Sequence, residues 1–586
     1  LNLSLLAGLT PAVGAAAQPD RGSANETSAC AQQDAGLTLP AGFCASIFAD
    51  HIGHARHLVV APDGAVYVNT WSGRYYGNQP APSGGFLVAF RDTTGRGRAN
   101  VIERFGGTAQ TGDHGGTGIA LYHGYVYAES NDRIVRYALG AGSIVPRGSA
   151  EVVLQGLPLS GDHPMHPFAI STDGWIYVDV ASATNSCQQR NRQLESPGLS
   201  PCPELRVRDG IWRYRADQLN QHFSPAERFA TGIRNADGIT IDSTGRGVYA
   251  TQQGRDQLGQ NWPKLYRPEQ GAILPAEELL RIVRGGDYGW PECYYDAVQG
   301  KLVLAPEYGG DGGRTVGVCA QKLAPVAAFQ AHWAPNDVVL YYGHMFPAHY
   351  RNGAFIAFHG SWNRAPFAQG GYNVAFQPLA DGRAAGGCEI FASGFAEGSM
   401  QPGAAKHRPS GLAVGPDAAL YVADDAGGRI YRVTYEGDSA GAAAVGPPCP
   451  AASAPPGQIE NISARPPEGT HPNAGAAANL PVPAGATRAQ VALGDRIYHG
   501  QIASASCVGC HGADGEGTPL GPPLTAHRWL WSSGSYNGIL HTIAQGVPEP
   551  KQYRSPMPPM GGASLTQRQV SAVAAYVWAI SHPATQ

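Results

Sequence analysis

Long apolar runs, a basic surplus and methionine are what this chain of 586 residues lacks: five residues are Met and 15% are charged, with 41 Lys and Arg against 45 Asp and Glu. The net charge of −4 offers no basic footprint for nucleic acid and no polybasic patch for a membrane surface. Beyond the first residues, no stretch approaches the ~18 uninterrupted apolar residues that a spanning helix requires. The apolar start, Leu1 to Leu9, lacks the basic residues of a secretory leader yet runs into Ala15-Ala16-Ala17. Residues 1–17 therefore read as a signal-peptide remnant with maturation near Ala17, or as a frayed apolar tail.

Glycine (78) and proline (46) are abundant, which favours a turn-rich all-β body. Between Asp34 and Glu436 an alternating apolar strand, a tight turn and a second strand ending in Tyr-Val or its equivalent recur. The copies run from His57 to Val68, Gly118 to Tyr127, Phe168 to Val178, Gly238 to Tyr249 and Gly411 to Val422, with a looser one from Asp337 to Phe358. Hairpins recurring at such intervals predict blades, so residues 34–436 are expected to form a six-bladed β-propeller. The longer intervals should be loops over one face, where a propeller places its site. Residues 437–487 turn Ala/Pro/Gly-rich and read as a linker, and residues 488–586 as a small all-α domain.

That last region carries Cys507-Val508-Gly509-Cys510-His511. Two thiols at this spacing can add to the vinyl groups of a haem, while the adjacent imidazole binds its iron. A zinc or dithiol reading of the pair would want a second ligand pair, or would have no use for His511. The second axial ligand is expected to be Met557, with Met560 as the alternative. Ser564-Leu565-Thr566-Gln567 reads as a capping box opening a last helix, with Val570, Val573, Ala574, Val577 and Trp578 on one stripe. Gly494 and Tyr498 before the haem motif, the run Cys510 to Gly517, Gly521 to Leu524, and Tyr576-Val577-Trp578 together resemble a class I cytochrome c domain. A haem with two strong axial ligands has no position open to substrate, so its expected task is to pass single electrons.

The remaining cysteines are even in number, as an oxidising compartment favours. Pairing of neighbours would give Cys30–Cys44, Cys187–Cys202, Cys293–Cys319 and Cys388–Cys449. Haem attachment and disulfides together point to a periplasmic or secreted protein.

Loops before and within the repeats carry the candidate chemistry. Asp162-His163 precedes the third repeat, where a carboxylate beside the imidazole would hold the ring and favour the imidazolium formed after proton uptake. Arg234-Asn235 precedes the fourth; an arginine there can pair with a planar anion. Gln253-Gly254-Arg255-Asp256 and Gly285 to Pro291 follow, and exposed loop carbonyls suit a hard cation such as calcium.

These stretches, with Asn185-Ser186-Cys187, His359-Gly360-Ser361-Trp362-Asn363-Arg364 and Arg408-Pro409, resemble the soluble PQQ-dependent glucose and sorbosone dehydrogenases, which are six-bladed propellers. The resemblance implies PQQ held by Arg234, Asn235, Trp333, His359, Trp362, Asn363, Arg364, Lys406 and Arg408. By analogy, calcium would sit on the main-chain carbonyls of Gly254 and Arg255 and polarise the quinone C5 carbonyl. His163 would take the proton from a substrate hydroxyl as hydride leaves for the quinone, Asp162 would help hold the substrate, and Arg234 completes the catalytic set. The glucose enzymes place a lysine against the quinone; His359 to Arg364 offers histidine, tryptophan and arginine instead, which leaves the replacement and the preference for glucose open. Trp333 reads equally as pocket wall or core packing.

The expectation is thus a quinohaemoprotein that oxidises an aldose or sorbosone-like sugar aldehyde and passes electrons singly through haem c to an external carrier. Its rivals are a calcium-dependent six-bladed lactonase, a binding propeller tethered to a cytochrome, and an eight-bladed quinohaemoprotein alcohol dehydrogenase. The first two leave the haem or the polar loop cluster unexplained. Six repeats and the absence of an adjacent Cys-Cys pair oppose the third.

Overall fold

The computed structural model describes residues 35–72, 82–437, 444–452 and 480–582, apart from 109, 141, 147, 193–194, 362, 365–366, 399, 401–404, 499–506, 512–514, 516, 518–520, 526–527, 548–550, 553–556, 558 and 563–564. The expected leader, Cys30 and Trp362 lie outside the described residues.

Six sheets of four or five strands follow one another along the chain, antiparallel except where Gln221–His222 adds in parallel to Glu151–Gln155, and each begins with one of the six hairpins read from the sequence. Their innermost strands are Ala55–Val60, Gly115–Tyr122, Phe168–Ile170, Ile239–Ile241, Pro335–Tyr341 and Pro409–Val414, each packed on the next and the last on the first. This is a six-bladed β-propeller. Blade six takes its outermost strand from the other end of the domain: Phe43–Ala49 pairs antiparallel with Arg429–Tyr435, with Ser46 opposite Arg432.

Alternation along the strands explains why blades stack. Val126 and Ala128 of blade two enter the core shared with blade one, whereas Tyr127 between them enters the core shared with blade three. Strands buried on both faces must be apolar at odd and even positions alike, and the central strands of the blades are. Six such clusters occupy the six spaces between neighbouring blades.

Cys187–Cys202, Cys293–Cys319 and Cys388–Cys449 are disulfides, as expected, and Cys44 is also disulfide-bonded. Cys449 brings the chain after the propeller back onto blade five, where Ile390 N–H donates to Pro447 O at 2.8 Å.

The C-terminal unit is helical, with Arg488–Tyr498, Cys507–His511, Tyr536–Gln545 and Gln567–Ser581. Leu480, Val491, Ile497, Tyr498, Ile539 and Val573 share its core. Gly494 allows the first and last helices to cross, because a Cβ there would overlap the Ala572 carbonyl. The capping box differs from the one read in the sequence. Thr566, not Ser564, is the N-cap and exchanges bonds with Gln569, since the helix starts two residues later at Gln567.

Candidate active site

Strands alternate in direction within a blade, so the loop entering an innermost strand and the loop between the second and third strands open at the same end of the ring. Asp162-His163, Arg234-Asn235, Trp333 and Arg408 lie on loops of the first kind. Residues 183–209, 253–276 and 359–372 and Asp425 lie on loops of the second. One mouth gathers them all.

His163 does not rest on its neighbour Asp162. Its Nδ1 lies 3.0 Å from the Ser182 carbonyl and 2.9 Å from the Ser182 hydroxyl. A carbonyl only accepts, so Nδ1 carries the hydrogen and donates it, and Nε2 keeps its lone pair. Burial, and then the nearby Arg234 charge, push the imidazole well below the usual histidine range, so it is neutral at pH 7. The expected Asp-His dyad is therefore replaced by a Ser182-held neutral imidazole. Asp162 is drawn away by Arg192, whose Nε and Nη2 donate to its Oδ2 at 3.0 and 2.9 Å.

Asp256 is the hub of the opposite wall. Its Oδ2 accepts from Arg234 Nη2 at 2.9 Å and Arg192 Nη2 at 3.0 Å, and its Oδ1 accepts from Asn363 Nδ2 at 2.5 Å. Burial opposes the charge on Asp256, but the Arg234 and Arg192 guanidiniums hold its carboxyl well below the ordinary carboxylate range. Arg234 also donates to Asn185 O and Oδ1 and, through Nη1, to the Gly254 carbonyl, each at 3.0 Å. All three nitrogens of this guanidinium thus donate to protein acceptors. The neighbouring Asn235 is buried, and its carbonyl accepts from Gln253 N–H at 3.0 Å.

Arg364 and Arg408 are different. Arg364 is buried and donates to the carbonyls of Ala368 and Ala331 at 2.9 and 3.4 Å; burial lowers its pKa to about 10. Arg408 donates to His359 O and Gly360 O at 3.1 and 2.5 Å. Among the described residues neither has an ion-pair partner. His359 turns its Nε2 to Asp425 Oδ1 at 2.8 Å, while Arg56 Nη1 donates to Asp425 Oδ2 at 2.9 Å. Burial, then Arg408, lower the His359 pKa to about 4.

Two expected members of the cofactor set stand apart. Trp333 is 4% exposed and belongs to the core between blades four and five, its ring edge-on to Phe358 at 5.2 Å. The second alternative read from the sequence, core packing, describes its place. Lys406 is exposed and pairs with Glu397 at 2.8 Å.

At the loop expected to hold calcium, Glu277 accepts from Gly254 N–H at 2.8 Å and from Ala334 N–H at 3.0 Å. The Arg255 side chain pairs with buried Glu307 at 2.5 Å and so points away from the mouth. A cation on the Gly254 carbonyl would share that oxygen with Arg234 Nη1, which donates to it at 3.0 Å.

Arg192, Ser182, Arg56 and Asp425 were not singled out from the sequence, and Asp256 was quoted there without a role. The bracketing of Arg192 by Cys187 and Cys202 was the available signal, because a stapled polar insertion between repeats must fold over the mouth.

In the helical unit, His511 Nδ1 donates to the Pro522 carbonyl at 2.9 Å, so its Nε2 keeps the lone pair with which it could hold an iron. Cys507 and Cys510 lie one turn apart on the same short helix. Met557 is tied by a two-way main-chain bridge to Val547, at 2.7 and 3.0 Å. Met560 sits three residues on with a positive φ of 57°. Both methionines pack against the unit's core.

Comparison with known proteins supplies the family. The fold is similar to the pyranose dehydrogenase PQQ domain of Coprinopsis cinerea, at 19% identity and a TM-score of 0.52, covering 69% of this chain and 98% of that one. It is also similar to the calcium structure of the Trichoderma reesei carbohydrate-active enzyme of family AA12, at 18% identity and a TM-score of 0.53, covering 68% and 97%. Among curated proteins it is 27% identical over 222 residues to an uncharacterised protein of Borreliella burgdorferi and 35% identical over 91 residues to the CcoP subunit of the Cbb3-type cytochrome c oxidase of Rubrivivax gelatinosus. Those matches cover 37% and 16% of this chain, and 51% and 26% of the two relatives. The cytochrome c family model matches residues 492–581, and the TrAA12-like model matches residues 37–436. The chain belongs to the TrAA12-like family and carries a C-terminal cytochrome c domain.

Proposed function

We propose that the chain is a quinohaemoprotein oxidoreductase of the cell exterior or periplasm, which oxidises an aldose or sorbosone-like sugar aldehyde and hands the electrons singly to its haem c. The observation that carries this reading is the pairing, at one mouth, of a neutral His163 having Nε2 unprotonated with Arg364 and Arg408, which have no ion-pair partner among the described residues. Arg364 is buried and Arg408 half-buried; a cation withdrawn from water without a counter-ion is costly, and an anionic ligand relieves that cost. PQQ, with three carboxylates, fits these two guanidiniums, and the names of the Coprinopsis and Trichoderma proteins, a PQQ domain and a calcium structure, agree with it. When bound, PQQ would supply an ortho-quinone that accepts one hydride equivalent, that is, two electrons and a proton.

The chain's own residues do the rest. Arg364 and Arg408 bind carboxylates, with Asn235 and Asn363 as hydrogen-bonding neighbours. His163 Nε2 accepts the proton of the substrate hydroxyl and Ser182 fixes the ring that does so. Arg234 remains bound to Asp256, so its part is to fix the wall and keep His163 neutral rather than to take a substrate carboxylate. The Gly254 carbonyl and that of Arg255 remain the candidate calcium ligands; the Asp256 carboxylate supplies negative charge beside them, whereas burial raises the Glu277 pKa to about 8. His511 and Met557 are the axial ligands of the haem, which delivers electrons to a cytochrome, a copper protein or a respiratory chain.

The test is anaerobic. Purified chain is loaded with PQQ and calcium, then offered aldoses, sugar aldehydes and simple alcohols while haem absorbance is followed. Haem reduction that requires PQQ and is lost in His163→Asn supports the reading. Failure of PQQ to bind overturns it.

A further inference from the structure

We propose that Arg192 is the positioning residue that keeps His163 available as a base, by holding the adjacent Asp162 carboxylate off the imidazole and tying it to Asp256 across the mouth. The proposal rests on the reading of His163 as the proton acceptor. Arg192 comes from the insertion between the second and third strands of blade three, stapled by Cys187–Cys202. Its guanidinium is 7% exposed and makes one contact per edge: Asp162 Oδ2 at 2.9 to 3.0 Å, Asp256 Oδ2 at 3.0 Å and Gln257 Oε1 at 3.2 Å. Its own N–H donates to Gln188 Oε1 at 2.8 Å, which fixes the root of the side chain inside the insertion. Burial works against the Arg192 charge, but Asp162 and Asp256 hold it firmly protonated.

The geometry separates two arrangements of the same residues. With Arg192 in place, Asp162 is neutralised and His163 keeps only Ser182 on Nδ1. Without it, a carboxylate one residue from the imidazole loses its partner, and a positive charge leaves the neighbourhood. Both changes favour the imidazolium, which cannot accept a proton. The charged groups facing His163 are Arg234 from the loop entering blade four, Asp256 from blade four and Arg192 from the insertion, with Asp162 beside it in the chain. Among the described residues only Arg192 touches both Asp162 and Asp256. A guanidinium serves here because its planar fork reaches three acceptors at once, which an ammonium cannot do.

The experiment uses the full chain with its haem. Histidine-labelled protein is titrated by NMR without PQQ, the His163 signal being identified by its loss in His163→Asn, and kcat/KM is measured against pH in the PQQ-loaded form. In Arg192→Gln the His163 titration and the acid limb of the rate profile both rise by about one pH unit. Arg192→Lys, which keeps the charge but cannot reach all three acceptors, shifts both in the same direction by a smaller, still resolvable amount, and covers the case in which the glutamine variant does not fold. A His163 titration that superimposes on wild type in both variants overturns the proposal. Should the titration move while His163→Asn keeps full turnover, the base assignment falls and the control of the imidazole by Arg192 stands.

Discussion

His163 turns Nδ1 to Ser182, 3.0 Å from its carbonyl and 2.9 Å from its hydroxyl, although a carboxylate precedes it in the chain. A base prepared in this way is neutral before substrate arrives. The acid limb of kcat/KM is expected below pH 6.5, since burial and Arg234 both lower the imidazole pKa. His163→Asn should cost about 10²- to 10⁴-fold in kcat with little change in PQQ affinity. A rate profile whose acid limb lies above pH 7 would falsify the neutral-base assignment.

Arg364 and Arg408 should each contribute a charge-assisted contact to an anionic cofactor. Replacing either with glutamine is expected to raise the PQQ Kd about 10- to 100-fold, on the basis of ~1.5–3 kcal/mol per such bond. Equilibrium titration of PQQ by absorbance measures this directly. Lys406→Gln is the contrast, because Lys406 is exposed and held by Glu397. Equal losses in all three variants would show that general charge, not these two guanidiniums, holds the ligand.

Asp256 compensates two buried arginines at once. Asp256→Asn leaves Arg192 and Arg234 without their shared carboxylate, and such a loss costs about 3–5 kcal/mol when the pair is buried. Denaturant unfolding of the propeller at pH 7 reads it. The Asp256 pKa is depressed, so this stability is present above the ordinary aspartate pKa near 3.8 and lost as pH falls below it.

His57 predicts a second acid sensitivity. Its Nε2 donates to the Asn336 carbonyl at 2.8 Å, and burial followed by the Arg56 charge lowers its pKa to about 3. Between pH 6.5 and 3 the unfolded chain binds a proton there that the folded chain refuses. Stability should therefore fall on acidification by about 1.4 kcal/mol per pH unit from this residue. His57→Gln should flatten that slope between pH 6 and 4; an unchanged slope means that His57 is protonated in the fold.

Met557→Ala should abolish the sulfur-to-iron absorption of the oxidised haem and raise the pool of haem open to added ligands, whereas Met560→Ala should leave the spectrum in place. The opposite pattern transfers the ligand to Met560.

The fold was legible because its signal is local and repeated. Each hairpin of the ring shows as alternation interrupted by a turn, and alternation is a property of neighbours in the chain. The haem site was legible for the same reason, its two cysteines and histidine lying within five consecutive residues of one helix. The active-site wall was not, because its bonds join residues far apart. Asn363 meets Asp256 across 107 positions and Arg192 meets it across 64, and nothing in either segment names the other. The Asp162-His163 adjacency misled for a related reason: consecutive residues in a loop need not face each other, and the nearer partner of each came from another loop. The last helix shows a smaller version, where two overlapping Ser/Thr-x-x-Gln patterns compete and only the helix start decides between them.

Blade six is completed by Phe43–Ala49, so Ser46 must find Arg432 across 386 positions before the ring has no loose margin. Until then Phe43–Ala49 lacks its strand partner, and an unpaired strand is the kind of surface on which chains join one another. Assembly of this propeller is thus gated by its last blade, and chain that stops within blade six is expected in aggregates while chain carried through Cys449, with its clasp to Cys388, is expected in solution.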